Sequence, residues 1–199
     1  MTTDRETLGV YADRAHDYAE QFASDRPGKH LSAFVDDLPA GARVLDLGCG
    51  PGQAAAYMTK LGFQVDAWDA SPEMANVGQR AFGVPIEVKG FDALEAEAVY
   101  DGIYANFSLL HAPKAEMPGH LARISRGLKP GGVFHIGLKT GKGEKRDTLG
   151  RFYAFYEEPE MTDLLEEASL TVYSRAFGKD VGLAGANEPW MILRAKKND

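Results

Sequence analysis

The chain has 199 residues, of which 44% are hydrophobic and 26% charged, a balance typical of a single folded domain rather than of a disordered or fibrous protein. Its net charge of −7 argues against a nucleic-acid partner, because such a surface repels phosphates. The single cysteine excludes an internal disulfide. The sequence shows no secretory signal, and no apolar stretch approaches the ~18 residues that a membrane span requires. We therefore expect a cytoplasmic protein with no membrane partner.

The predicted elements alternate between helix and strand along the chain. Apolar side chains at helical spacing predict a first helix over residues 5–23, and a second is predicted over about residues 30–38. Residues 42–48 and 63–69 are predicted strands, and the alanine-rich stretch 52–62 between them is a predicted helix that ends at a glycine. Such a strand–helix–strand unit is typical of parallel pairing.

Three start signals come together at the next helix. Ser71 is its predicted N-cap, Pro72 its first residue, and Glu73 lies in its first turn, where the helix dipole stabilises a negative charge. A short strand at residues 86–91 and an apolar strand at residues 100–108 follow this helix. The repeated alternation predicts a doubly wound α/β sheet, because each crossover helix must cover one face of the sheet.

The last part of the chain begins with an amphipathic helix over residues 114–127, followed by Pro130 and Gly131, which indicate a tight turn. A strand, a helix and two further strands are predicted after this turn, at residues 133–139, 159–168, 170–177 and 189–197. No helix separates the last two strands, so we expect them to form an antiparallel hairpin at one edge of the sheet.

The segment VLDLGCGPG, residues 44–52, places three glycines where the first strand passes into a helix. Ligands of doubly wound sheets bind outside the carboxyl ends of the strands, so this turn lies at an expected cleft. The spacing departs from the dinucleotide pattern G-x-G-x-x-G because the third glycine is Gly52, and no Gly-Lys-Ser/Thr follows for a phosphate loop. A tight turn without any ligand is the alternative interpretation.

The order Asp-x-Gly-x-Gly-x-Gly in DLGCGPG, residues 46–52, resembles the first motif of class I S-adenosylmethionine-dependent methyltransferases. Residues 101–113 resemble the fourth motif of the small-molecule members, and residues 128–132 resemble their Leu-x-Pro-Gly-Gly turn. The resemblance covers about residues 40–140. It implies a Rossmann-like, mostly parallel seven-stranded sheet with an N-terminal helical cap, and S-adenosylmethionine as cofactor. The implied reaction is methyl transfer to a small-molecule acceptor by in-line displacement, which leaves S-adenosylhomocysteine.

The resemblance also implies which residues contact the cofactor. Asp46 and carbonyl oxygens near Gly48 would meet its ammonium group. Asp69 would accept from both ribose hydroxyls, although a helix-entry role for Asp69 stays open. Asp92 and the Ala93 N–H would bind the adenine. The full set implied in this way is Tyr11, Arg14, Asp46, Gly48, Cys49, Gly50, Gly52, Asp69, Ala70, Met74, Asp92, Ala93, Asn106 and Phe107.

Several of these contacts are implied around the methyl donor. Asn106 would lie beside the methionine portion of the cofactor and Phe107 beside its methyl group. In the N-terminal cap, Tyr11 would line the methyl site and Arg14 would pair with the cofactor carboxylate, with inward packing of the helix tyrosines as the alternative. Met74 is expected either on an adenine face or in the core.

His111, just past the fourth predicted strand, is the candidate general base for an acceptor that needs one, and a structural hydrogen bond is the alternative role. Residues 140–158 are expected to form a lid in which Arg151, Tyr153 and Tyr156 engage an anionic or aromatic acceptor, unless these rings form the packing core of the lid itself. The histidines show no metal-ligand spacing, so no metal is predicted.

We expect residues 1–199 to form one domain, with a helical cap (1–38), a cofactor-binding core (40–140), the lid, and a C-terminal helix with the strand hairpin (159–199). Two other functions stay open. One is methyl transfer to a protein or a nucleic acid, which requires a basic or extended surface. The other is a non-catalytic S-adenosylmethionine-binding or sensor protein, since binding does not imply turnover. Neither the acceptor atom nor the oligomeric state follows from the sequence.

Overall fold

The computed structural model describes residues 4–15, 28–182, 184–185 and 187–199. The strands in these ranges are β1 (Arg43–Leu47), β2 (Gln64–Asp69), β3 (Ile86–Val88), β4 (Tyr100–Asn106), β5 (Leu128–Lys139), β6 (Glu144–Arg146), β7 (Phe152–Ala154), β8 (Leu170–Val181) and β9 (Asn187–Lys197). The α-helices are α1 (Arg5–Asp13), α2 (Lys29–Asp36), α3 (Gln53–Lys60), α4 (Pro72–Phe82), α5 (Met117–Gly127) and α6 (Glu158–Glu167). None of the helices in this part of the chain is long and apolar enough to cross a membrane.

Seven strands form one sheet in the order β3-β2-β1-β4-β5-β9-β8, and β6 pairs with β7 in a separate two-stranded ribbon. The strands from β3 to β5 in this order pair in parallel, whereas β9 pairs antiparallel with β5 and with β8. The predicted mostly parallel α/β sheet with an antiparallel edge hairpin is therefore confirmed. The order of the strands reverses between β1 and β4, which is the switch point where such sheets bind ligands.

Strand β1 separates two apolar clusters. Leu45 and Leu47 belong to the cluster that includes residues of α5 and α6, and Val44 belongs to the cluster that includes residues of α2 and α3. This alternation follows from the two-residue period of a strand, and it places Asp46 on the same face as Val44. Burial on both faces explains why the strand is apolar almost throughout.

The predicted turn at Pro130 and Gly131 is wrong. Strand β5 already begins at Leu128, and the two residues lie within it. A shift of register opposite Tyr100 and Gly102 of β4 accommodates the extra length as a bulge, with Gly131 at a φ of +70°. The pairing with β4 therefore continues past a proline that the sequence alone assigns to a turn.

The start of α4 follows the prediction, because Ser71 is its N-cap and the Ser71 Oγ accepts from the N–H of Met74 at 3.2 Å, with Pro72 as the first helical residue. The predicted first helix is observed as α1, which ends at Asp13. The remainder of that prediction, over residues 16–23, lies outside the described residues.

The ribbon of β6 and β7 lies in the segment where only a lid was expected, and it is attached to α1. Arg146 donates to both carboxylate oxygens of Asp4 at 2.8 Å, and the Phe152 N–H donates to Oγ1 of Thr7 at 2.8 Å. Asp4 is also the N-cap of α1. The first helix and the ribbon are therefore held together by side chains from the first turn of α1.

Candidate functional site

A cavity of about 420 Å³ lies at the carboxyl ends of β1, β2 and β4, at the switch point of the sheet. Its volume is in the range of small-molecule binding sites. The cavity is lined by the glycine loop and α3, by the start of α4 with the turn after β3, by helix α1 with the turn after β4, and by a wall from α2, β8 and β9. The cleft expected from the sequence is a cavity in the structure.

Most of the site residues expected from the sequence line this cavity. They are Tyr11, Asp46, Gly48, Cys49, Gly50, Asp69, Ala70, Met74, Asn106, Phe107 and His111. Arg14, Asp92 and Ala93 do not line it, and the Ala93 N–H donates to the Gly90 carbonyl at 3.1 Å. The residue before Asp92, Phe91, lies at the cavity wall instead.

The glycine loop is shaped mainly by contacts within the protein. Gly48 has a φ of +74°, and a Cβ there would lie 3.0 Å from Oγ of Ser108 and closer still to its Cβ. The N–H groups of Gly48 and Cys49 donate to the Trp68 carbonyl at 2.8 and 2.9 Å, which folds the loop over the end of β2. Gly52, at a φ of +80°, is the N-cap of α3 and does not line the cavity. What approaches Gly48 most closely is Ser108.

Asp46 carries a buried oxygen without a partner. Only 3% of its surface is exposed, and none of the described residues hydrogen-bonds to its Oδ2. Burial raises the pKa of Asp46 to about 7, against the opposing effect of a backbone hydrogen bond from Ala55. An unpaired carboxylate in such surroundings is costly, so this oxygen is suited to accept from a positively charged donor.

Asp69 closes the loop and starts the next helix. Its Oδ2 accepts from the Gly50 N–H at 2.8 Å, and its Oδ1 accepts from the Ser71 N–H at 2.9 Å. Burial raises the pKa of Asp69 to about 6, although both hydrogen bonds oppose the rise. The Ala70 N–H contributes to the same opposition, and the lone pairs that remain are available to a ligand. Asp69 therefore has the helix-entry role and also lines the cavity.

His111 lies in the turn after β4 and is hydrogen-bonded through both ring nitrogens. Its Nδ1 lies 2.6 Å from the Phe152 carbonyl oxygen, and its Nε2 lies 2.8 Å from the Tyr11 hydroxyl. A carbonyl oxygen only accepts, so Nδ1 carries the proton and Nε2 accepts from Tyr11. Burial lowers the pKa of His111 to about 4, which keeps the imidazole neutral at pH 7.

Arg151 supports Tyr11 and does not line the cavity. Its side chain is buried and donates to the Asp147 carboxylate at 2.6 and 2.9 Å. Its Nη1 donates to the Tyr11 hydroxyl at 3.2 Å. The guanidinium expected to engage an acceptor is thus used within the protein, because Asp147 and Tyr11 occupy its donors.

Tyr153 and Tyr156 are also absent from the cavity wall. The Tyr153 ring packs against His111 with the ring centroids 4.7 Å apart, and the Lys139 ammonium lies 3.7 Å from the Tyr153 centroid on another side. Tyr156 is fully buried, with the Lys114 ammonium 4.5 Å from its centroid. Both rings belong to the main apolar cluster of the protein, so they pack inward and do not face the cavity.

The wall formed by α2, β8 and β9 contains residues that the sequence did not single out. Trp190 of β9 and Asp180 of β8 both line the cavity, and the Trp190 Nε1 donates to Oδ2 of Asp180 at 2.8 Å. The ring of His30, from α2, stands edge-to-face with the indole at a centroid distance of 5.4 Å. No local motif marks these residues, because β9 reaches the cavity only through its pairing between β5 and β8.

Known proteins share sequence with this chain. Residues 44–132 match the family described as Methyltransferase domain. Over 178 residues the chain is 37% identical to the ubiquinone biosynthesis O-methyltransferase of Xanthomonas axonopodis pv. citri (strain 306), which covers 81% of this chain and 72% of that enzyme. Over 109 residues it is 41% identical to the S-adenosyl-L-methionine-dependent Diels-Alderase iccD of Talaromyces variabilis, covering 50% of this chain but only 37% of that protein's length.

A solved structure shares the fold over nearly the whole chain. It is the 1,6-didemethyltoxoflavin-N1-methyltransferase of Burkholderia thailandensis, with bound 1,6-didemethyltoxoflavin and S-adenosylhomocysteine. The two chains are 27% identical with a TM-score of 0.78, and the match covers 98% of this chain and 88% of the other. These similarities agree with the order of the strands in the sheet and with the position of the glycine loop. The chain therefore belongs to the class I S-adenosylmethionine-dependent methyltransferases.

Proposed function

We propose that the protein transfers a methyl group from S-adenosylmethionine to a small-molecule acceptor. The cofactor follows from the family to which the chain belongs. The observation that carries the proposal is the buried carboxylate of Asp46, a residue that lines the cavity beside the glycine loop and whose Oδ2 has no hydrogen-bond partner among the described residues. The ammonium group of the cofactor would be that partner, because a charged donor forms the stronger kind of hydrogen bond with a carboxylate.

The other cofactor contacts in this proposal follow from position along the cavity. The free lone pairs of Asp69 would accept from the ribose hydroxyls. Ala70, Met74 and Phe91 line the cavity where β2 and β3 end, and they would enclose the adenine. Asn106, at the end of β4, would lie beside the methionine portion.

S-adenosylmethionine supplies, when bound, an activated methyl group on a positively charged sulfur. The protein then has to orient the acceptor and exclude water, and good positioning alone lowers a barrier by up to ~7–11 kcal/mol. For an acceptor that loses a proton, we propose that the Tyr11–His111 pair positions the acceptor at the cavity wall, since both side chains line the cavity. The pair is neutral because burial lowers the pKa of His111 to about 4.

A small acceptor is favoured over a macromolecule in this proposal. The net charge of −7 opposes a nucleic acid, and a cavity of about 420 Å³ has to receive both cofactor and acceptor. A cytoplasmic location, favoured by a composition with one cysteine, belongs to the same proposal.

The test uses S-adenosylmethionine labelled in its methyl group, the purified protein and a cell extract separated by ultrafiltration. We expect label in the small-molecule fraction with the wild-type protein and much less with Asp69→Asn at a cofactor concentration that does not saturate the variant. Label in the macromolecular fraction would favour transfer to a protein or nucleic acid instead. The Talaromyces relative is named as a Diels-Alderase and not as a methyltransferase. For this reason the binding of S-adenosylhomocysteine to the protein is measured alongside label transfer. Binding without label transfer contradicts the proposal and favours a non-catalytic binding protein.

A further inference from the structure

One wall of the cavity is built on the indole of Trp190. Trp190 is paired with Gly178 across β8 and β9, and a Cβ on Gly178 would lie 2.7 Å from Cε2 of the indole and closer still to Cζ2. The missing side chain at Gly178 is therefore what allows the indole to lie over β8. The hydrogen bond from Nε1 to Asp180, two residues along the same strand, fixes the orientation of the ring.

Two further rings complete this wall. The imidazole of His30 stands 5.4 Å from the indole at an interplanar angle of 83°, and the Phe107 ring stands 6.4 Å away at 85°. All three rings line the cavity, so a flat ligand at this end meets aromatic surface on more than one side. Aromatic pairs gain from such edge-to-face and offset contacts beyond the burial of area.

His30 adds a polar position to the wall. Its Nε2 is shielded from solvent, and none of the residues that the structure describes hydrogen-bonds to it. A shielded ring nitrogen without a partner is destabilising, and the cost is removed when a partner binds. His30 lines the cavity, so a rotation of its ring would present Nε2 to a hydroxyl, an amino group or a ring nitrogen on a ligand.

We propose that the acceptor is a planar aromatic or heteroaromatic ring that packs against Trp190 and hydrogen-bonds to Nε2 of His30. This inference rests on the proposed function and adds the chemical class of the acceptor. An aliphatic amine is the competing ligand, because aromatic rings attract cations. The positive charges of Lys29 and Arg194 act on the His30 ring and oppose a cation there, whereas the Asp180 carboxylate keeps its charge when it accepts from Trp190, so the amine forms a separate arm of the test.

Calorimetric binding to the S-adenosylhomocysteine-loaded protein tests the inference without requiring methyl transfer. The probes are 2-naphthol and decahydro-2-naphthol, which share a hydroxyl on a fused ring pair and differ in planarity and aromatic character. We expect 2-naphthol to bind about tenfold more tightly. Trp190→Leu is expected to remove most of this preference. Phe177→Leu, which replaces an exposed aromatic side chain of β8 that does not line the cavity, leaves it unchanged.

Two further variants separate the ring from the hydrogen bond. Gly178→Ala keeps Trp190 but forces its indole off β8, so 2-naphthol is expected to bind about tenfold more weakly. His30→Phe keeps a ring but removes Nε2, so the advantage of 2-naphthol over naphthalene is expected to disappear. Binding of S-adenosylhomocysteine by each variant checks its folding.

Three results would overturn the inference: equal binding of 2-naphthol and its saturated counterpart, full retention of the preference in Trp190→Leu, or tighter binding of cyclohexylamine than of 2-naphthol. The proposed function fails separately. If the loaded protein shows the expected preference and the labelled extract yields no methylated product, the aromatic site stands and methyl transfer is contradicted.

Discussion

The hydroxyl of Tyr11 lies 2.8 Å from Nε2 of His111, which joins the first helix to the turn after β4. Neither ring nitrogen of His111 is therefore free, since the Phe152 carbonyl accepts from the other one. Burial lowers the pKa of His111 to about 4, so the pair is uncharged at rest. In the proposed mechanism this neutral pair positions the acceptor, with the imidazole holding the phenol in place.

Tyr11→Phe tests this pair, because it removes the hydroxyl and keeps the ring. We expect the single-turnover rate of methyl transfer to fall by about 10²-fold because the acceptor is no longer positioned, while the affinity for S-adenosylhomocysteine changes by less than about threefold. Tyr100→Phe is the matched control: Tyr100 is also buried, but it lies at the other end of β4, away from the cavity wall. An unchanged rate in Tyr11→Phe, or an equal loss in Tyr100→Phe, contradicts the role.

Asp69→Asn is expected to weaken S-adenosylhomocysteine binding by roughly ten- to a hundredfold, because a neutral amide makes weaker hydrogen bonds than a carboxylate. Equilibrium dialysis or calorimetry measures the change. Asp66→Asn provides the control on the same strand, since Asp66 forms an ion pair with Arg43 at 2.9 Å and does not line the cavity. Equal affinities in the two variants would show that Asp69 serves only the loop and the helix start.

The affinity for S-adenosylhomocysteine is expected to depend on pH. Burial raises the pKa of Asp46 to about 7 and that of Asp69 to about 6, so both carboxyls gain a proton as the pH falls through these values. A protonated carboxyl no longer offers a charged acceptor to the ligand. Lowering the pH from about 8 to about 5 should therefore weaken binding, by up to about tenfold per pH unit for each group.

Asp46→Asn isolates one of the two titrations. This variant is expected to bind S-adenosylhomocysteine more weakly at about pH 8 and to show a shallower pH dependence than the wild type, because only Asp69 then changes charge in the range. Calorimetry at constant ionic strength gives both curves. A flat curve for the wild type would argue that neither carboxylate contacts the ligand.

Gly48 and Gly41 form a matched pair for the glycine loop. Their φ values are +74° and +71°, but a Cβ at Gly41 meets nothing within 4 Å, whereas one at Gly48 meets Ser108. Gly41→Ala is therefore expected to cost only the backbone strain, about 1–2 kcal/mol in the free energy of unfolding. Gly48→Ala adds overpacking of about 1–3 kcal/mol. Urea unfolding of both variants measures the difference, and similar losses would contradict the clash.

The sequence identified the parts of the site that are encoded locally. The glycine loop, Asp69 and the Ser71 cap each follow the end of a strand, so their meeting at one edge follows from parallel pairing alone. The same rule applies to Asn106 and His111 after β4, which also line the cavity. The carboxyl ends of parallel strands lie at the same edge of the sheet whatever the details of packing. These positions could therefore be predicted from the sequence.

Residues that reach the cavity only through long-range strand pairing could not be predicted in this way. Trp190 reaches the cavity because β9 inserts between β5 and β8 and because Gly178 stands opposite, and neither strand carries a local signal of this. Arg151 and Tyr153 were expected to face an acceptor. They instead pack against Tyr11 and its neighbours, because the β6–β7 ribbon determines the direction of their side chains. The sequence pattern did not predict this ribbon.

The attachment of α1 to the ribbon joins two distant parts of the chain, since Arg146 and Asp4 are 142 positions apart. Closing so long a loop has a large entropic cost, so such contacts form late in folding. The parallel strands β1 to β5 need none of them, and the sheet can therefore assemble before the cavity is complete. The Arg146–Asp4 ion pair is partly exposed and is formed by side chains alone, so we expect it to open before the sheet on heating. Activity should thus be lost at a lower temperature than the circular dichroism of the sheet.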